Sequence, residues 1–346
     1  MKRTHHLIIG AGIAGLSTAY HLGASASSTV VLEKENDIGA HASTKNSGMI
    51  HHYHPDRDMR ERIDSGVQRL RSYEQDASAD FFTSAPSYFL FPADRARELE
   101  RDPEAWGGRE AVPPGDVPAS LKPEGKPSDA VWMRFERDGL IQPERYLLSL
   151  REDLTRRQID LHLDQPVVDG AQRGNHWIVE TPSCTYKATN LINAAGAWAE
   201  RLGQTLGTSP KGLDAYRRHL YVADERILPD EIGFYWDAVN GIYFRHYEGG
   251  TLISNCDNHD VPPGQAPDIE HPPSLLHDSL EIYYPQFQNV TINEYWSCHR
   301  TWGPERVPYI TADDELPGFY WVAGLEGHGI TASMWIGKHA CDVITA

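Results

Sequence analysis

The sequence predicts an α/β fold in which a Rossmann-like domain carries an inserted α+β domain built on an antiparallel sheet. Three observations predict it. A strand, a glycine-rich turn, a helix and a second strand follow one another at the start of the chain, and further strand and helix signals come in the middle and at the end. Two intervening stretches differ in character, one rich in Pro, Gly and charge, the other rich in Tyr, Trp and β-branched residues.

The first unit begins with the apolar strand His5–Ile9, which runs directly into Gly10–Gly15. Gly10 permits a tight turn, Gly12 lets the backbone approach phosphates, and Gly15 lets the helix pack closely on the strand. The helix N-terminus offers unpaired N–H groups and a partial positive charge to an anion. This pattern predicts a binding site for a nucleotide pyrophosphate.

A second strand, Thr29–Leu32, ends in Glu33, eighteen residues after Gly15. An acid at this position is placed to bind a ribose 2′-hydroxyl. Because Glu33 is not an arginine, a 2′-phosphate is disfavoured, and the sequence predicts either FAD or NAD.

The remaining elements alternate in the same way, and strands that alternate with helices form parallel sheets. Predicted in order are a helix over Pro55–Ala79, a helix from Pro143 to about Arg157, strand Ile159–Leu163, a meander over 167–169, 176–179 and 185–187, strand Thr189–Asn193, strand Phe319–Ala323 and a helix from about Gly329. The nucleotide domain is therefore predicted to be discontinuous, over 1–80, 138–215 and 303–346, with a substrate domain over 81–137 and 216–302. An exposed loop is predicted at Pro262–Pro267.

Composition excludes several classes of function. The net charge of −17, without a Lys/Arg-rich run, disfavours nucleic acid as a partner. The four cysteines show no CxxC spacing, so neither a zinc ribbon nor a disulfide framework is predicted. The chain enters a strand without a signal-peptide pattern and contains no apolar run of membrane-spanning length, so we expect a cytoplasmic protein with no integral membrane segment.

Two glycine-rich segments favour FAD over NAD. Ala42–Gly48 is dense in hydroxyls, amide and glycine just after the ribose-binding acid, and Gly324–Thr331 is a second glycine turn before a helix. Backbone N–H groups at such turns bind electron-rich oxygen. Cradles from opposite ends of the chain suit a long cofactor with two ends.

With these motifs the chain resembles the family of FAD-dependent amine and D-amino acid oxidases and dehydrogenases, particularly the D-arginine type dehydrogenases and the glycine or sarcosine oxidases. The matching segments are Leu7–Gly15, Val30–Gly48, Leu191–Trp198, Trp302–Arg306 and Phe319–Thr331. The resemblance implies a nucleotide domain of the glutathione reductase type. It also implies non-covalent FAD, because neither Cys298 nor Cys341 matches the cysteine of the covalent-flavin members.

The resemblance also implies which residues hold the cofactor. It assigns the ADP half to Gly10, Gly12, Ile13, Ala14, Gly15, Glu33 and Lys34, with Val167 at the adenine; the pyrophosphate and flavin edge to Ser43, Thr44, Asn46, Ser47 and Gly48; the wall of the dinucleotide site to Ala195, Gly196 and Trp198; and the ribityl and pyrimidine end to Gly327, His328, Gly329, Ile330 and Thr331.

Four residues are candidates for the substrate side. Arg306 matches the arginine that clamps a substrate carboxylate in the resembled enzymes, although it could instead pair with an acid on the surface, and Tyr243 matches a tyrosine near that carboxylate, although it could be a core residue. Either Arg217 or Arg218 could point into the cleft. His51 could hydrogen-bond to the substrate or act as a base. No metal is expected at the nearby histidines, because adjacent residues of an extended chain point to opposite sides.

The expected activity is oxidation of the Cα–N bond of a small amino acid or secondary amine by hydride transfer to flavin, giving an imine that is hydrolysed to a 2-oxo acid. No second glycine fingerprint for a nicotinamide is present, so the electrons are expected to go to oxygen, a quinone or a redox protein. Two alternatives stay open. Asn46–His51 resembles the L-2-hydroxyglutarate dehydrogenase branch, which would make the substrate a 2-hydroxy acid with His51 as its base, and the chain could also be a non-catalytic flavin-binding subunit.

Overall fold

The computed structural model describes residues 1–23, 28–101, 109–113, 116–125, 129–264 and 272–346. The predicted loop at Pro262–Pro267 lies partly outside the described residues, from 265 onward. Among the described residues no helix has the length and apolar character needed to cross a bilayer.

The structure contains the following helices and strands. The helices are α1 (Ile13–Leu22), α2 (Arg57–Asp76), α3 (Ala93–Arg101), α4 (Pro143–Arg156), α5 (Ala199–Thr205), α6 (Pro272–Tyr283) and α7 (Ser333–Thr345). The strands are β1 (Lys2–Ile9), β2 (Thr29–Leu32), β3 (Met49–Ile50), β4 (Phe82–Ser84), β5 (Ser87–Phe91), β6 (Arg109–Val112), β7 (Val131–Phe135), β8 (Gly139–Ile141), β9 (Asp160–His162), β10 (Asp169–Arg173), β11 (His176–Glu180), β12 (Thr185–Asn193), β13 (Asp214–Ala223), β14 (Phe234–Asp237), β15 (Ile242–Tyr247), β16 (Gly250–Ser254), β17 (Ile292–Trp302), β18 (Tyr309–Ala312), β19 (Phe319–Ala323) and β20 (Leu325–Glu326).

The first sheet has eight strands in the order β10-β11-β12-β1-β2-β9, with β19 beside β12 and β18 beside β19. Strand β1 runs parallel to β2 and β12, and β9 and β19 continue the parallel set. Helices cover one face and a second apolar cluster covers the other, which explains why β2 is buried along its whole length. The predicted α/β, Rossmann-like fold class is therefore confirmed.

Helices α1, α2, α4 and α7 pack on that face of the first sheet and share one apolar core with it. A Cβ added at Gly337 would lie 2.4 Å from the Ser17 carbonyl oxygen, so α7 approaches α1 as closely as glycine allows. The buried hydroxyls of Tyr146 on α4 and Ser333 on α7 are 2.8 Å apart and hydrogen-bonded. The C-terminal helix is thus fixed directly against α1 and α4.

The second sheet has nine strands in the order β20-β17-β13-β16-β15-β14-β5-β7-β6 and is antiparallel except where β5 meets β14. Helix α6 packs on one of its faces. The other face carries a separate apolar cluster that includes Met49, Leu220 and Tyr243. A third, smaller sheet has three strands in the order β3-β8-β4. In the sequence these strands come between strands of the first sheet and strands of the second.

Most predicted elements occur, with two corrections. Helix α2 begins after Asp56, whose side chain accepts a hydrogen bond from the Met59 N–H (2.8 Å), as expected of an N-cap. The stretches 185–187 and 189–193 form one continuous strand, β12, because β1 pairs with it in a single register from Tyr186 to Asn193, while β11 and β19 each pair with one half. The last helix starts at Ser333, later than predicted, after a turn over 327–332. The domain boundaries stay a prediction.

Candidate active site

A cavity of about 470 Å³ lies between the two large sheets. Its floor is made by the carboxyl ends of β1, β2, β12 and β19, and its roof by the apolar face of β13, β15 and β17. The carboxyl ends of parallel strands are where ligands bind in open α/β sheets. The topology therefore places a ligand site here.

The turn from β1 to α1 is a backbone cradle that a side chain would fill. Gly10 has φ +108°, and a Cβ there would lie 2.5 Å from the Ala194 carbonyl oxygen. A Cβ at Gly15 would lie 1.9 Å from the carbonyl oxygen of Gly10, and one at Gly12 would lie 2.9 Å from the Ser43 hydroxyl. The close approaches expected from the glycine spacing are present in the fold.

Glu33 lies at the end of β2 and lines the cavity. Its carboxylate accepts hydrogen bonds from the backbone N–H groups of Ala11 (2.8 Å) and Glu35 (3.0 Å). Lys34 lies 3.9 Å above the ring of Trp198, and both line the cavity. These contacts orient an acid and an aromatic ring at the same end of the cavity.

The loop after Glu33 folds back on the glycine turn. The Ser43 hydroxyl accepts from the Ile13 N–H (2.9 Å). Asn46 accepts from the Gly48 N–H (2.7 Å) and donates to the Ser43 carbonyl (2.9 Å), and Thr44 donates to the carbonyl of Gly39 (2.8 Å). The loop is held by its own side chains and covers the pyrophosphate cradle.

The structure brings most of the predicted cofactor residues to this one cavity. Those that line it are Gly10, Gly12, Ile13, Ala14, Glu33, Lys34, Ser43, Asn46, Ser47, Val167, Ala195, Gly196, Trp198, Gly327, Gly329, Ile330 and Thr331. Within the described part of the chain, Gly15, Thr44, Gly48 and His328 do not line it. Gly15 and Thr44 instead support the turn and loop behind it, and their assigned contacts with the cofactor stay predictions.

The glycine cradle, the oriented acid and the C-terminal turn at the far end fit an extended dinucleotide. The family model described as FAD dependent oxidoreductase matches residues 5–343. The chain belongs to this FAD-dependent oxidoreductase family. FAD is the cofactor, and the assignment agrees with a turn from β1 to α1 that is too tightly packed for Cβ atoms at Gly10, Gly12 and Gly15.

Relatives of known name lie within the same family. The chain is 22% identical to dimethylglycine dehydrogenase of Rattus norvegicus over 99% of this chain and 43% of that protein, and 23% identical to glycine oxidase of Pseudomonas putida over 88% and 84%. Among solved structures it is similar to L-proline dehydrogenase from P. horikoshii (TM-score 0.85, 18% identity, 99% and 94% covered) and to glycine oxidase from Geobacillus kaustophilus (TM-score 0.82, 19%, 100% and 95%). The chain spans less than half the length of the dimethylglycine dehydrogenases it matches.

Two arginines face the cavity of this family member from the second sheet, Arg218 being buried and Arg300 half-buried. Arg218 on β13 donates to the carbonyls of Asp257 and Cys256 (both 3.1 Å) and to the Asn258 side chain (2.9 Å). Arg300 on β17 lines the same wall, and its burial, followed by the positive charge of Arg218, lowers its pKa below the ordinary arginine value. Two guanidinium groups therefore share one low-dielectric region.

The choice between Arg217 and Arg218 is decided by strand alternation. Arg218 lines the cavity, whereas the neighbouring Arg217 does not. Tyr243 on β15 also lines it, and burial raises the pKa of its hydroxyl to about 12, so the group stays protonated. Arg218 and Tyr243 are both at the substrate side, where the sequence placed them as candidates.

Arg306 is not brought to the cavity, contrary to expectation. It is exposed, with φ +56°, and its guanidinium lies 4.7 Å from the Trp302 ring centroid. Strand β17 ends at Trp302, so Arg306 falls in the turn beyond it. Sequence reasoning missed Arg300; the available signal was its place in β17 two residues after Cys298, which also lines the cavity.

His51 is also not among the cavity-lining residues that the structure describes. Its Nδ1 donates to the Tyr53 carbonyl (3.1 Å), and its ring packs on Trp236 and His328, with centroids 5.3 Å and 4.9 Å away. Burial lowers the pKa of His51 to about 4, so the ring is neutral near pH 7. As expected, adjacent His52 points elsewhere and bonds to buried Asp138 (2.9 Å).

The fold gathers histidines and acids at two further places. His54, Glu326 and His328 bring ligand-type atoms within 4.8 Å of one another, as do His219, Asp257 and His259. The Asp56 N–H donates to His54 Nδ1 (3.0 Å), so the proton of the neutral ring is on Nε2, the nitrogen 4.0 Å from Glu326. That nitrogen is a donor toward a carboxylate and has no lone pair for a metal.

The second group lies around one carboxylate, that of Asp257. Asp257 accepts from His219 Nδ1 (2.6 Å) and lies 2.9 Å from His259 Nε2. Burial alone would raise the pKa of Asp257, but the hydrogen bonds from His219 outweigh it and lower the pKa. This arrangement holds the segment whose carbonyls orient Arg218.

We expect Glu33→Gln to weaken FAD binding about tenfold, because a neutral amide replaces the charged acceptor at the end of β2. The measurement is quenching of FAD fluorescence on titration with apoprotein. Glu180→Gln, an exposed position at the end of β11, is the matched control. Equal loss of affinity in both variants would contradict the assignment of Glu33.

Buried His51 should make stability depend on pH. Its folded pKa of about 4 lies below the unfolded value near 6.5, so the unfolded state binds the extra proton and stability falls as pH drops through this window. The contribution lost between pH 7 and pH 5 is about 2 kcal/mol. Urea unfolding at the two pH values should show a smaller loss for His51→Asn than for wild type.

The exposed His5→Asn variant should keep the full pH dependence of the wild type. An unchanged pH dependence in His51→Asn would show that this ring titrates normally in the folded protein.

Proposed function

We propose that this chain oxidises the Cα–N bond of a small amino acid or secondary amine. The observation that carries the proposal is the pair of arginines, buried Arg218 and half-buried Arg300, in the cavity that also contains the dinucleotide cradle. Bound FAD supplies the acceptor for the hydride of the Cα–H bond. The product would be an imine, which water converts to a 2-oxo acid.

Of the two arginines, Arg300 is the better carboxylate clamp. Arg218 already donates to three acceptors of the segment 256–258, whereas the guanidinium of Arg300 lies beside Gly327, where an added Cβ would be 3.1 Å from its Cζ. A planar guanidinium binds a carboxylate through two parallel hydrogen bonds. We assign Arg300 to hold the substrate carboxylate, with Arg218 adding charge and Tyr243 donating a hydrogen bond.

The remaining wall excludes water from the reacting carbon. Met49, Leu220 and Cys298 line the cavity near the arginines. An apolar wall strengthens the electrostatic hold on the carboxylate because the local dielectric constant is low. These side chains would orient the Cα–H bond, the contribution that hydride transfer requires most of a protein.

The position of His51 favours an amine over a 2-hydroxy acid. An alcohol needs a base to take its hydroxyl proton, and the candidate base lies outside the cavity lining with its pKa lowered to about 4 by burial. An amine reacts through its own lone pair once it is neutral. The 2-hydroxy acid alternative thus lacks the histidine on which it depended.

The names of several relatives agree with an amine or amino acid substrate. Glycine oxidase, dimethylglycine dehydrogenase and 4-methylaminobutanoate oxidase are among the matches. Another match is the regulatory subunit of pyruvate dehydrogenase phosphatase from Mus musculus, at 21% identity, which keeps the non-catalytic flavin-binding alternative in view. Oxygen, a quinone or a redox protein as electron acceptor, and a cytoplasmic location, stay predictions.

An anaerobic scan of the flavin absorbance separates these functions. We expect bleaching by one or more members of a panel of D- and L-amino acids, glycine and N-methyl amino acids. Bleaching by 2-hydroxy acids alone would transfer the assignment to the alcohol. Tightly bound FAD that no panel member reduces would favour the non-catalytic subunit.

The assignment of the clamp is tested by replacing two arginines one at a time. Arg300→Met should lower kcat/KM about a hundredfold, because charge-assisted hydrogen bonds to the carboxylate are lost. Arg306→Met, which alters the exposed arginine on Trp302, should leave kcat/KM within about twofold. Steady-state kinetics with the best amine from the panel measures both. The reverse result would restore Arg306 as the clamp.

A further inference from the structure

We propose that Glu326 binds the ammonium group of the substrate and accepts its proton, so that the cavity recognises both charges of a zwitterionic amino acid. This inference rests on the proposed function and names the substrate class of the same site. Glu326 was not among the residues singled out by the sequence. Its assignment comes from three observations: it lies in the cavity wall, one of its carboxylate oxygens has no hydrogen-bond partner, and it forms no described ion pair with Arg300.

Glu326 is positioned in the cavity wall by β20, the two-residue strand that pairs with the end of β17. It lines the cavity, yet only 5% of its side chain is exposed. Its backbone has φ +55°, a left-handed conformation that is uncommon for a residue with a side chain. Strained backbone of this kind clusters at functional sites, and here it turns a carboxylate toward the cavity.

One carboxylate oxygen of Glu326 has no hydrogen-bond partner. Oε1 is buried and unbonded, and Oε2 lies 4.0 Å from His54 Nε2. Because His54 Nδ1 accepts from the Asp56 N–H, the ring in this arrangement is neutral and offers a single N–H. Among the described residues Glu326 therefore has no cation within ion-pair distance, and leaving a buried carboxylate oxygen unbonded is costly.

The positive charge of Arg300 lies beside the backbone that follows Glu326. Arg300 lies against Gly327, the residue next to Glu326, yet the two side chains form no ion pair among those the structure describes. A cation and an anion thus flank one part of the cavity without neutralising each other. A ligand that carries a carboxylate and an ammonium on neighbouring atoms satisfies both.

The chemistry balances with the cofactor already assigned. An N–H bond of the substrate ammonium breaks, its proton forms an O–H bond on Glu326, and the electron pair stays on nitrogen. That lone pair forms the C=N bond as the Cα–H bond breaks, and the hydride and its electron pair go to FAD. A 2-hydroxy acid presents no cation to Glu326, so the residue also selects amines.

Recognition of the cation can be measured without turnover. Trimethylglycine and 3,3-dimethylbutanoate have the same shape, but only the first is positively charged, and its nitrogen has no lone pair to drive oxidation. Dissociation constants for both are measured on FAD-loaded wild type, Glu326→Gln and Glu326→Asp from the shift in flavin absorbance. Glu305→Gln, exposed in the turn after β17, is the matched control.

We expect wild type to prefer trimethylglycine about tenfold or more, because its positive charge is attracted to the Glu326 carboxylate in a cavity of low dielectric constant. Glu326→Gln should bring the ratio near one with little change in affinity for 3,3-dimethylbutanoate or FAD. Glu326→Asp should restore part of the preference, and Glu305→Gln should keep all of it.

A wild type that binds neither ligand, or both equally, would overturn the proposal. So would a preference that survives Glu326→Gln, or a variant that loses affinity for FAD alone, which would place the carboxylate against the cofactor. The proposed function fails separately, if no amine bleaches the wild-type flavin. In that event a lost preference in Glu326→Gln would still establish a cation site.

Discussion

The close approach of α1 to the end of β1 is the constraint on which the other features depend. Gly15 meets the Gly10 carbonyl at a distance that no larger residue could adopt, and Gly10 itself needs a positive φ beside Ala194. This contact directs the N–H groups of the helix into the cavity and lets α7 pack on α1 through Gly337. The turn over 327–332 reaches the cavity because the helix that follows it, α7, is fixed against α1.

The second sheet brings to the cavity the arginine and tyrosine side chains that the first sheet does not provide. Parallel strands end in backbone and glycine, which suit phosphate and ribose, whereas the face of β13, β15 and β17 brings arginine and tyrosine. Antiparallel pairing sets Arg218 directly opposite Cys298, so side chains of both strands face the same cavity. A cofactor half and a substrate half thus arise from two kinds of sheet with different chemistry.

The sequence predicted the parts governed by local rules. Glycine spacing, the acid after β2 and Pro143 in the first turn of α4 depend on a few neighbouring residues. The cavity contains most of the cofactor residues that the resemblance assigned around these motifs. The substrate side depends on strand ends and turns far apart in the chain. Arg306 was named from the resemblance and Arg300 was not named, whereas the structure ends β17 at Trp302 and leaves Arg306 in the turn beyond it. The partners of His51, Trp236 and His328, come from distant elements, so its surroundings could not be predicted from local sequence.

The group around Asp257 connects the face of the second sheet that is turned away from the cavity with the face that lines it. His219 points away from the cavity on β13, and Asp257 joins it to His259, which is partly exposed, while the Asp257 carbonyl holds the Arg218 guanidinium. The orientation of the Arg218 guanidinium is therefore fixed by residues that do not line the cavity. Evolution or engineering could retune anion affinity from this outer edge and leave every cavity-lining residue as it is.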